Sequence, residues 1–214
     1  MENRYQSVLE TFDKIASAYQ DKFMDLDLYN DGFDLFCSLI EKPEARILDL
    51  GCGPGNITRY LLAQRPDFQV EGIDIAPNMI ELARQNNPSA RFSVMDVRDI
   101  DRLSGPFDGV MCGFCMPYLS KEECFKLIKD AAALLPAGGT FYCSTMEDDY
   151  DKSDYVTSSD GKNTMFTYFH QADYMQEQLE TEGFEVVAFK RQEYIKDNGA
   201  RFIDMIFIAR KRQA

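Results

Sequence analysis

The chain lacks most of what would tie it to a membrane, a metal or a nucleic acid. Its longest apolar stretch, 110–119, falls well short of the roughly 20 residues needed to cross a bilayer, and it contains Gly113 and Pro117. The opening residues, MENRYQSVLETFDK, hold no apolar core run, so no secretory leader is expected and a cytoplasmic location follows as the expectation. Basic residues are the minority: 23 Lys and Arg against 36 Asp and Glu leave a formal net charge of −13. No basic stripe appears. The cluster Arg210-Lys211-Arg212 reads as a solvated tail. Phosphate backbones are bound by such stripes, so no nucleic-acid partner is expected, and the same charge disfavours an anionic membrane surface. The six cysteines (Cys37, Cys52, Cys112, Cys115, Cys124 and Cys143) follow no disulfide framework, which suits a reducing compartment. Cys112 and Cys115 form a C-x-x-C, but the second pair that a zinc site needs is missing. Residues three apart in a strand point to opposite faces, so buried packing is expected of this pair and no metal is expected. There is one histidine, His170.

What is present is an α/β pattern. A length of 214 residues suits one packed domain with additions, and 45% hydrophobic with 28% charged residues is ordinary for a globular chain. Tyr5, Val8, Leu9, Phe12, Ala16 and Tyr19 recur at helical spacing, and a second helical set runs from Leu28 to Ile40, ending before Pro43. From Arg46 onward strands and helices alternate. Strands are expected at 47–50, 70–75, 91–95, 107–112 and 140–144. The intervening helices include one opened by the capping box Ser120-Lys121-Glu122-Glu123. This repetition implies a parallel sheet covered on both faces. Beyond a helix at 173–181, strands at about 184–189 and 201–209 flank a turn at Asp197-Asn198-Gly199 and must pair antiparallel. The acidic, turn-rich segment after 147 carries Tyr155-Val156-Thr157 and 164–169 around Asp160-Gly161, which reads as an inserted β-hairpin, a lid over a site.

The chemistry starts at Ile47-Leu48-Asp49-Leu50-Gly51-Cys52-Gly53-Pro54-Gly55-Asn56, a strand that breaks into a glycine turn and enters a helix. Such a turn lets a nucleotide-bearing ligand lie against bare backbone. A dinucleotide turn would read GxGxxG, with its third glycine where Asn56 stands; the pattern here is GxGxG, with Asp49 two residues ahead. Asp74, at the end of Glu71-Gly72-Ile73-Asp74-Ile75, falls about twenty residues past the turn. There a carboxylate can accept both ribose hydroxyls, the alternative being a helix N-cap. Met95-Asp96-Val97 ends the third strand, and Phe107-Asp108-Gly109-Val110-Met111-Cys112-Gly113 forms the fourth.

In that order and at those separations, LDLGCGPGN, GIDIAP, MDV and PFDGVM resemble the motifs of the class I S-adenosylmethionine-dependent methyltransferases, over about 47–144. The likeness is greatest to the small-molecule branch with type 11 or type 25 domains. It implies a doubly wound, Rossmann-like, seven-stranded sheet of order 3-2-1-4-5-7-6 with its last strand antiparallel. Residues 1–43 would be a helical cap, and 44–214 the core, with the lid at about 147–170. It also implies S-adenosylmethionine as cofactor. Gly51, Cys52, Gly53 and Gly55 would form the turn against it, and Asp49 would meet the methionine ammonium directly or through water, an acid suiting a cation. Backbone at Cys112 and Gly113 would meet the same ammonium. Asp74 would take the ribose, Asp96 the adenine amino group and the Val97 backbone a ring nitrogen. Ile75 and Met79 would sandwich the ring, or equally belong to the core. Asp108 would support the sheet's edge.

The resemblance implies methyl transfer to an oxygen or nitrogen of a small-molecule acceptor. A sulfonium methyl is already electrophilic, so such an enzyme mainly positions a nucleophile and excludes water. A base helps only when the acceptor arrives protonated. The acceptor pocket should lie past the fourth and fifth strands, with Tyr19, Phe114, Met116, Tyr118, Glu147, Tyr168 and His170 as candidates. Of these, His170, Tyr118 and Tyr19 are the catalytic candidates. The alternative for His170 is a packed histidine, and for Tyr19 the core face of the first helix. A catalytically silent S-adenosylmethionine-binding module is the second reading. The acceptor's identity and the choice between monomer and homodimer stay open.

Overall fold

The computed structural model describes residues 2–157, 163–195, 199 and 201–213. Its helices are α1 (Glu2–Phe23), α2 (Asn30–Leu39), α3 (Asn56–Gln64), α4 (Pro77–Asn86), α5 (Lys121–Leu134) and α6 (Ala172–Thr181). Its strands are β1 (Arg46–Leu50), β2 (Gln69–Asp74), β3 (Arg91–Val94), β4 (Gly109–Cys112), β5 (Thr140–Glu147), β6 (Asp154–Thr157), β7 (Thr164–Thr167), β8 (Phe184–Ile195) and β9 (Arg201–Lys211). Seven strands form one sheet in the order β3-β2-β1-β4-β5-β9-β8, with β6 and β7 pairing separately as a hairpin. With that hairpin set aside, the order is 3-2-1-4-5-7-6. The pairs from β3 to β5 are parallel, while β9 runs antiparallel to both β5 and β8.

Period-two alternation sorts the central strands between two cores. Leu48, Val110, Phe141 and Phe207 face α5 and α6. Ile47, Met111, Tyr142 and Ile206 face α2 and α3. Gly109 explains how α2 can lie so close: a Cβ there would stand 2.6 Å from Ile40 and 2.7 Å from Phe36. The capping box at the start of α5 is formed, with Ser120 and Glu123 each satisfying the other's backbone N–H. Along one edge, Lys42 and the Arg46 backbone N–H both donate to Asp108.

The strands on the antiparallel side of the sheet outrun their sequence-based limits, β9 by two residues to Lys211. β5 continues to Glu147 and β8 to Ile195, because β9 supplies backbone partners along both strands to these ends. The turn at Asp197-Asn198 and the hairpin tip at Asp160-Gly161 lie outside the described residues. α1 packs on α4 through Phe12, Ala16 and Tyr19 against Ala76 and Met79. α4 has no cap from its own N-cap residue, Ala76; instead Asp13 of α1 accepts from the Asn78 backbone N–H at 2.7 Å. That places a carboxylate on the positive end of the helix and fixes α1 across the sheet's carboxyl edge. Among the described residues, no helix is long and apolar enough to cross a membrane.

Candidate active site

The sheet order reverses between β1 and β4, and the crevice beyond their carboxyl ends is where α/β sheets of this kind bind ligands. The glycine turn fills its floor. Gly51 and Gly53 adopt φ of +64° and +52°, the left-handed region that side chains rarely tolerate. A Cβ on Gly51 would also stand 2.8 Å from the Cys115 Cβ. Asp74 braces the turn from β2: one carboxylate oxygen accepts from the Gly53 N–H and the other from the Ala76 N–H, both at 2.9 Å. Burial raises the Asp74 carboxyl against the pull of those bonds.

Above the turn lies a narrow cavity of about 70 Å³. Gly51, Gly53, Asp74, Ile75, Met79, Val97 and Gly113 line it from the sheet side, and Tyr5, Val8, Phe12 and Tyr19 of α1 close it. The structure therefore brings together most of the residues expected around a cofactor, but not all. The Cys52 side chain points away, into a cluster with Ile80, Ala83 and Phe92. Gly55 faces α4, where a Cβ would collide with Asn87. Cys112 is fully buried in the α5-side core.

Asp49 sits behind the turn, 1% exposed, accepting a 2.6 Å hydrogen bond from Thr58 on one oxygen. Its other oxygen has no partner among the described residues. Burial pushes this carboxyl up to about 7; Thr58 pulls it down and Asp74 adds to the rise. An unpaired buried carboxylate oxygen is costly alone and suits a cationic group brought near it by a ligand. The glycine cradle, the Asp74 oxygens and this oxygen all fit S-adenosylmethionine.

Asp96 departs from its expected place. Its carboxylate accepts from the Tyr5 hydroxyl at 2.9 Å and from the Arg98 backbone and guanidinium, and it lines no part of the cavity. Arg98 also stacks on the Tyr5 ring and pairs with Glu123. Burial works to raise Asp96, but the Arg98 bonds outweigh it and hold the carboxyl below the usual range. The acid expected to face adenine is thus turned to α1, because an aspartate at a short helical turn gains more from an adjacent guanidinium and N–H than from open space.

Cys112 and Cys115 also differ from expectation. The strand ends at Cys112, and Phe114 takes φ of +62°, which reverses the chain and brings the two sulfurs to 2.9 Å. Opposite-face geometry holds only while both residues remain in a strand. Phe114 pays for its strained conformation in part through its N–H bond to Ser144 at 3.0 Å.

Tyr19, Phe114 and Tyr118 line the cavity and also a second, larger chamber of about 230 Å³. That chamber is walled by α1, α2 and the hairpin, with Val156, Thr157, Met165 and Thr167 contributed by β6 and β7. Burial pushes the Tyr118 phenol up to about 12, and raises Tyr19 as well, so both stay protonated at neutral pH. Neither is a ready proton acceptor.

His170 does not reach the chamber. It is 0% exposed, with Nε2 3.2 Å from the Met116 carbonyl and Nδ1 2.9 Å from the Tyr174 hydroxyl. A carbonyl can only accept, so Nε2 carries the proton and Nδ1 accepts from Tyr174. Burial drives its pKa down to about 4. No lone pair remains for an acceptor's proton, and His170 is a packed, neutral histidine. Met116 is buried beneath it, Glu147 is held by Arg191, and Tyr168 stacks on Tyr150 outside the chamber.

The acid among the described residues that line the chamber was not anticipated. Asp204 of β9 is 5% exposed and accepts a 2.7 Å hydrogen bond from the Tyr29 hydroxyl. Its only sequence signal is an aspartate interrupting the apolar run from Phe202 to Ala209.

Residues 47–139 match a family model described as a methyltransferase domain. The chain is 30% identical over 118 residues to a ubiquinone biosynthesis O-methyltransferase of Xanthomonas campestris, covering 53% of this chain and 48% of that one. It is 38% identical over 68 residues to a trans-aconitate 2-methyltransferase of Methylobacterium nodulans, covering 32% and 26%. The chain thus spans about half or less of the length of these relatives. Among solved structures, the 1,6-didemethyltoxoflavin-N1-methyltransferase of Burkholderia thailandensis, with 1,6-didemethyltoxoflavin and S-adenosylhomocysteine bound, superposes with a TM-score of 0.73. That match covers 99% of this chain and 90% of that one at 21% identity, a likeness of fold. Sheet order, glycine turn and the methyltransferase-domain match over residues 47–139 make the chain similar to the class I S-adenosylmethionine-dependent methyltransferases in its fold and in its cofactor cradle.

Proposed function

We propose that the protein transfers the methyl group of S-adenosylmethionine to an oxygen or nitrogen of a small-molecule acceptor. The observation that carries this reading is the shared wall: Tyr19, Phe114 and Tyr118 separate a cradle built on the glycine turn from an apolar chamber. When bound, S-adenosylmethionine supplies an electrophilic methyl that an acceptor lone pair displaces in line, with the carbon–sulfur electron pair going to sulfur. The glycine turn and Asp74 would hold the nucleoside, and Asp49 the ammonium through water. Residues 1–43 would act as the cap, since α1 and α2 each wall a cavity. Their aromatic side chains keep water from the reacting atoms, where an in-line approach matters most.

The cradle is smaller than the few hundred cubic ångströms that a drug-sized ligand takes. Cofactor entry would therefore move Tyr5, Val8 and Phe12 outward, breaking the Tyr5–Asp96 hydrogen bond and freeing Asp96 toward the base. The test is calorimetric titration with S-adenosylmethionine and S-adenosylhomocysteine, with NAD as control. Micromolar binding of the first two alone supports the reading; binding of NAD, or of none, removes it.

A further inference from the structure

We infer that Cys112 and Cys115 are a peroxide-sensitive thiol pair that closes to an intrachain disulfide beside the cofactor cradle and weakens cofactor binding. The disulfide stands on the geometry of the two sulfurs. Its effect on the cradle rests on the methyl-transfer reading above.

Backbone on either side holds the pair together. β4 ends at Cys112, and the left-handed Phe114 turns the chain back over it. The Phe114 N–H donates to the Ser144 hydroxyl on β5, and the Cys115 carbonyl accepts from the Tyr118 N–H at 3.1 Å. Gly113, the other residue of the turn, has no room for a side chain: a Cβ would stand 2.2 Å from Ile57. Cys115 is pressed against Gly51, where an added Cβ would stand 2.8 Å from its own. With both flanks fixed, the sulfurs rest 2.9 Å apart. Non-bonded carbon atoms settle at about 3.5–4.0 Å and a disulfide bond is about 2.05 Å long. The two sulfurs are thus closer than packing alone would set them.

Access divides the roles. Cys115 lines the cradle and is partly exposed, whereas Cys112 is fully buried in the core against α5. Burial also holds the Cys112 thiol up, so it stays protonated. Cys115 is therefore the sulfur that a small oxidant meets, and the cradle is its way in. In the first step the Cys115 thiolate attacks hydrogen peroxide; the O–O bond breaks, Cys115 becomes a sulfenic acid and hydroxide leaves. In the second, the Cys112 sulfur displaces the sulfenic oxygen, and the Cys112 proton leaves with that oxygen as water. Two thiols and one peroxide give one disulfide and two waters. A thiol such as glutathione reverses the change by exchange.

The bond would reach the cofactor through Gly51. The core encloses Cys112, so Cys115 makes most of the movement and withdraws from the turn it packs on. The same link stiffens Phe114, which lines both the cradle and the chamber. A cradle of about 70 Å³ must widen for its ligand, and a cross-link in its wall opposes that. Ligand and disulfide should disfavour one another equally, since coupling between two equilibria is reciprocal.

The experiment treats the full chain with hydrogen peroxide and counts thiols after unfolding. They should fall from six to four and return with dithiothreitol. Trypsin cleaves after Arg102 and Lys121, so a Cys112–Cys115 disulfide lies within one peptide that has lost two hydrogens. Cys112→Ala should form no such bond and should instead carry a sulfenic acid on Cys115, trapped by dimedone. By calorimetry, the dissociation constant of S-adenosylhomocysteine should rise roughly 5- to 150-fold on oxidation, the usual span of coupling between sites. It should recover on reduction. Saturating S-adenosylhomocysteine should lower the equilibrium constant for the disulfide against glutathione by the same factor. Six thiols after peroxide, a bond from Cys115 to Cys143 or Cys124 across two peptides, or equal affinity of the two forms would overturn the inference. Failure of S-adenosylhomocysteine to bind the reduced protein would instead strike the methyl-transfer reading, and the effect on the cradle with it. Thiol count and peptide mass would still decide the disulfide.

Discussion

Replacing Asp74 by asparagine probes the cofactor assignment at its most constrained residue. Each carboxylate oxygen already accepts one backbone N–H, from Gly53 or from Ala76. Each oxygen keeps a second acceptor site, one for each ribose hydroxyl. Asparagine has a single acceptor oxygen. Whichever way its amide turns, the NH₂ group faces a backbone N–H and can accept nothing from the ribose. One charge-assisted hydrogen bond to ligand is lost outright and the other loses its charge. At ~1.5–3 kcal/mol for a hydrogen bond to a charged group, the dissociation constant for S-adenosylhomocysteine should rise roughly 10- to 150-fold. The turn itself also loses a bond, so the thermal midpoint should drop by a few degrees, and a control must separate the two effects. A 2′-deoxy analogue of S-adenosylhomocysteine supplies it. Calorimetry should find the unaltered protein binding the analogue more weakly, and Asp74→Asn discriminating between the two ligands less than the unaltered protein does, since a contact already lost or weakened cannot be lost again in full. Losses that add independently, or an affinity within about twofold of the unaltered protein, would take Asp74 off the ribose.

Two buried groups should give opposed pH dependences of stability. Asp49 is raised to about 7 by burial, with Thr58 and Asp74 facing it, whereas an unfolded aspartate titrates near ~3.9. Between those values the folded state holds a proton that the unfolded state has lost, so this contribution to stability falls as pH rises. His170 is lowered to about 4 by burial, among Met116, Tyr174, Cys124 and the nearby charge of Lys121. Unfolded, it titrates near ~6.5, so between those values the unfolded state holds the extra proton and stability rises with pH. Relative to the unaltered protein, denaturant midpoints of Asp49→Asn should climb more steeply between about pH 4.5 and 6.5, and those of His170→Gln less steeply. Parallel curves for all three would refute both assignments. Thiol chemistry tests the cavity without any turnover. Cys115 lines the cradle and is partly exposed while the other five cysteines are buried, so a maleimide should label one site rapidly and S-adenosylhomocysteine should slow it. Several fast sites, or no protection despite demonstrated binding, would place the ligand elsewhere.

The sequence by itself determined the α/β alternation, the glycine turn and the position of Asp74, because each is written in contiguous residues. Period-two strands, a GxGxG break and a carboxylate at a strand's end are local patterns whose geometry follows from backbone sterics. The antiparallel finish was legible for the same reason, through the short span between its two last strands. Only the tertiary structure decided which side chains meet. Tyr29 and Asp204 are 175 residues apart and join because β9 enters beside β5 in reverse direction. Asp96 turned to Tyr5 and Arg98 because α1, whose place the local pattern does not specify, is fixed across the site by Asp13 and Asn78. Cys112 and Cys115 touch because one left-handed residue, Phe114, ends the strand's alternation. His170 looked available as the lone histidine, yet its backbone extends the end of β5 and carries the ring into the core. Local patterns fix the elements, since those depend on neighbours in the chain. The acceptor side is built where separate elements converge, and its residues acquire their roles only from that packing.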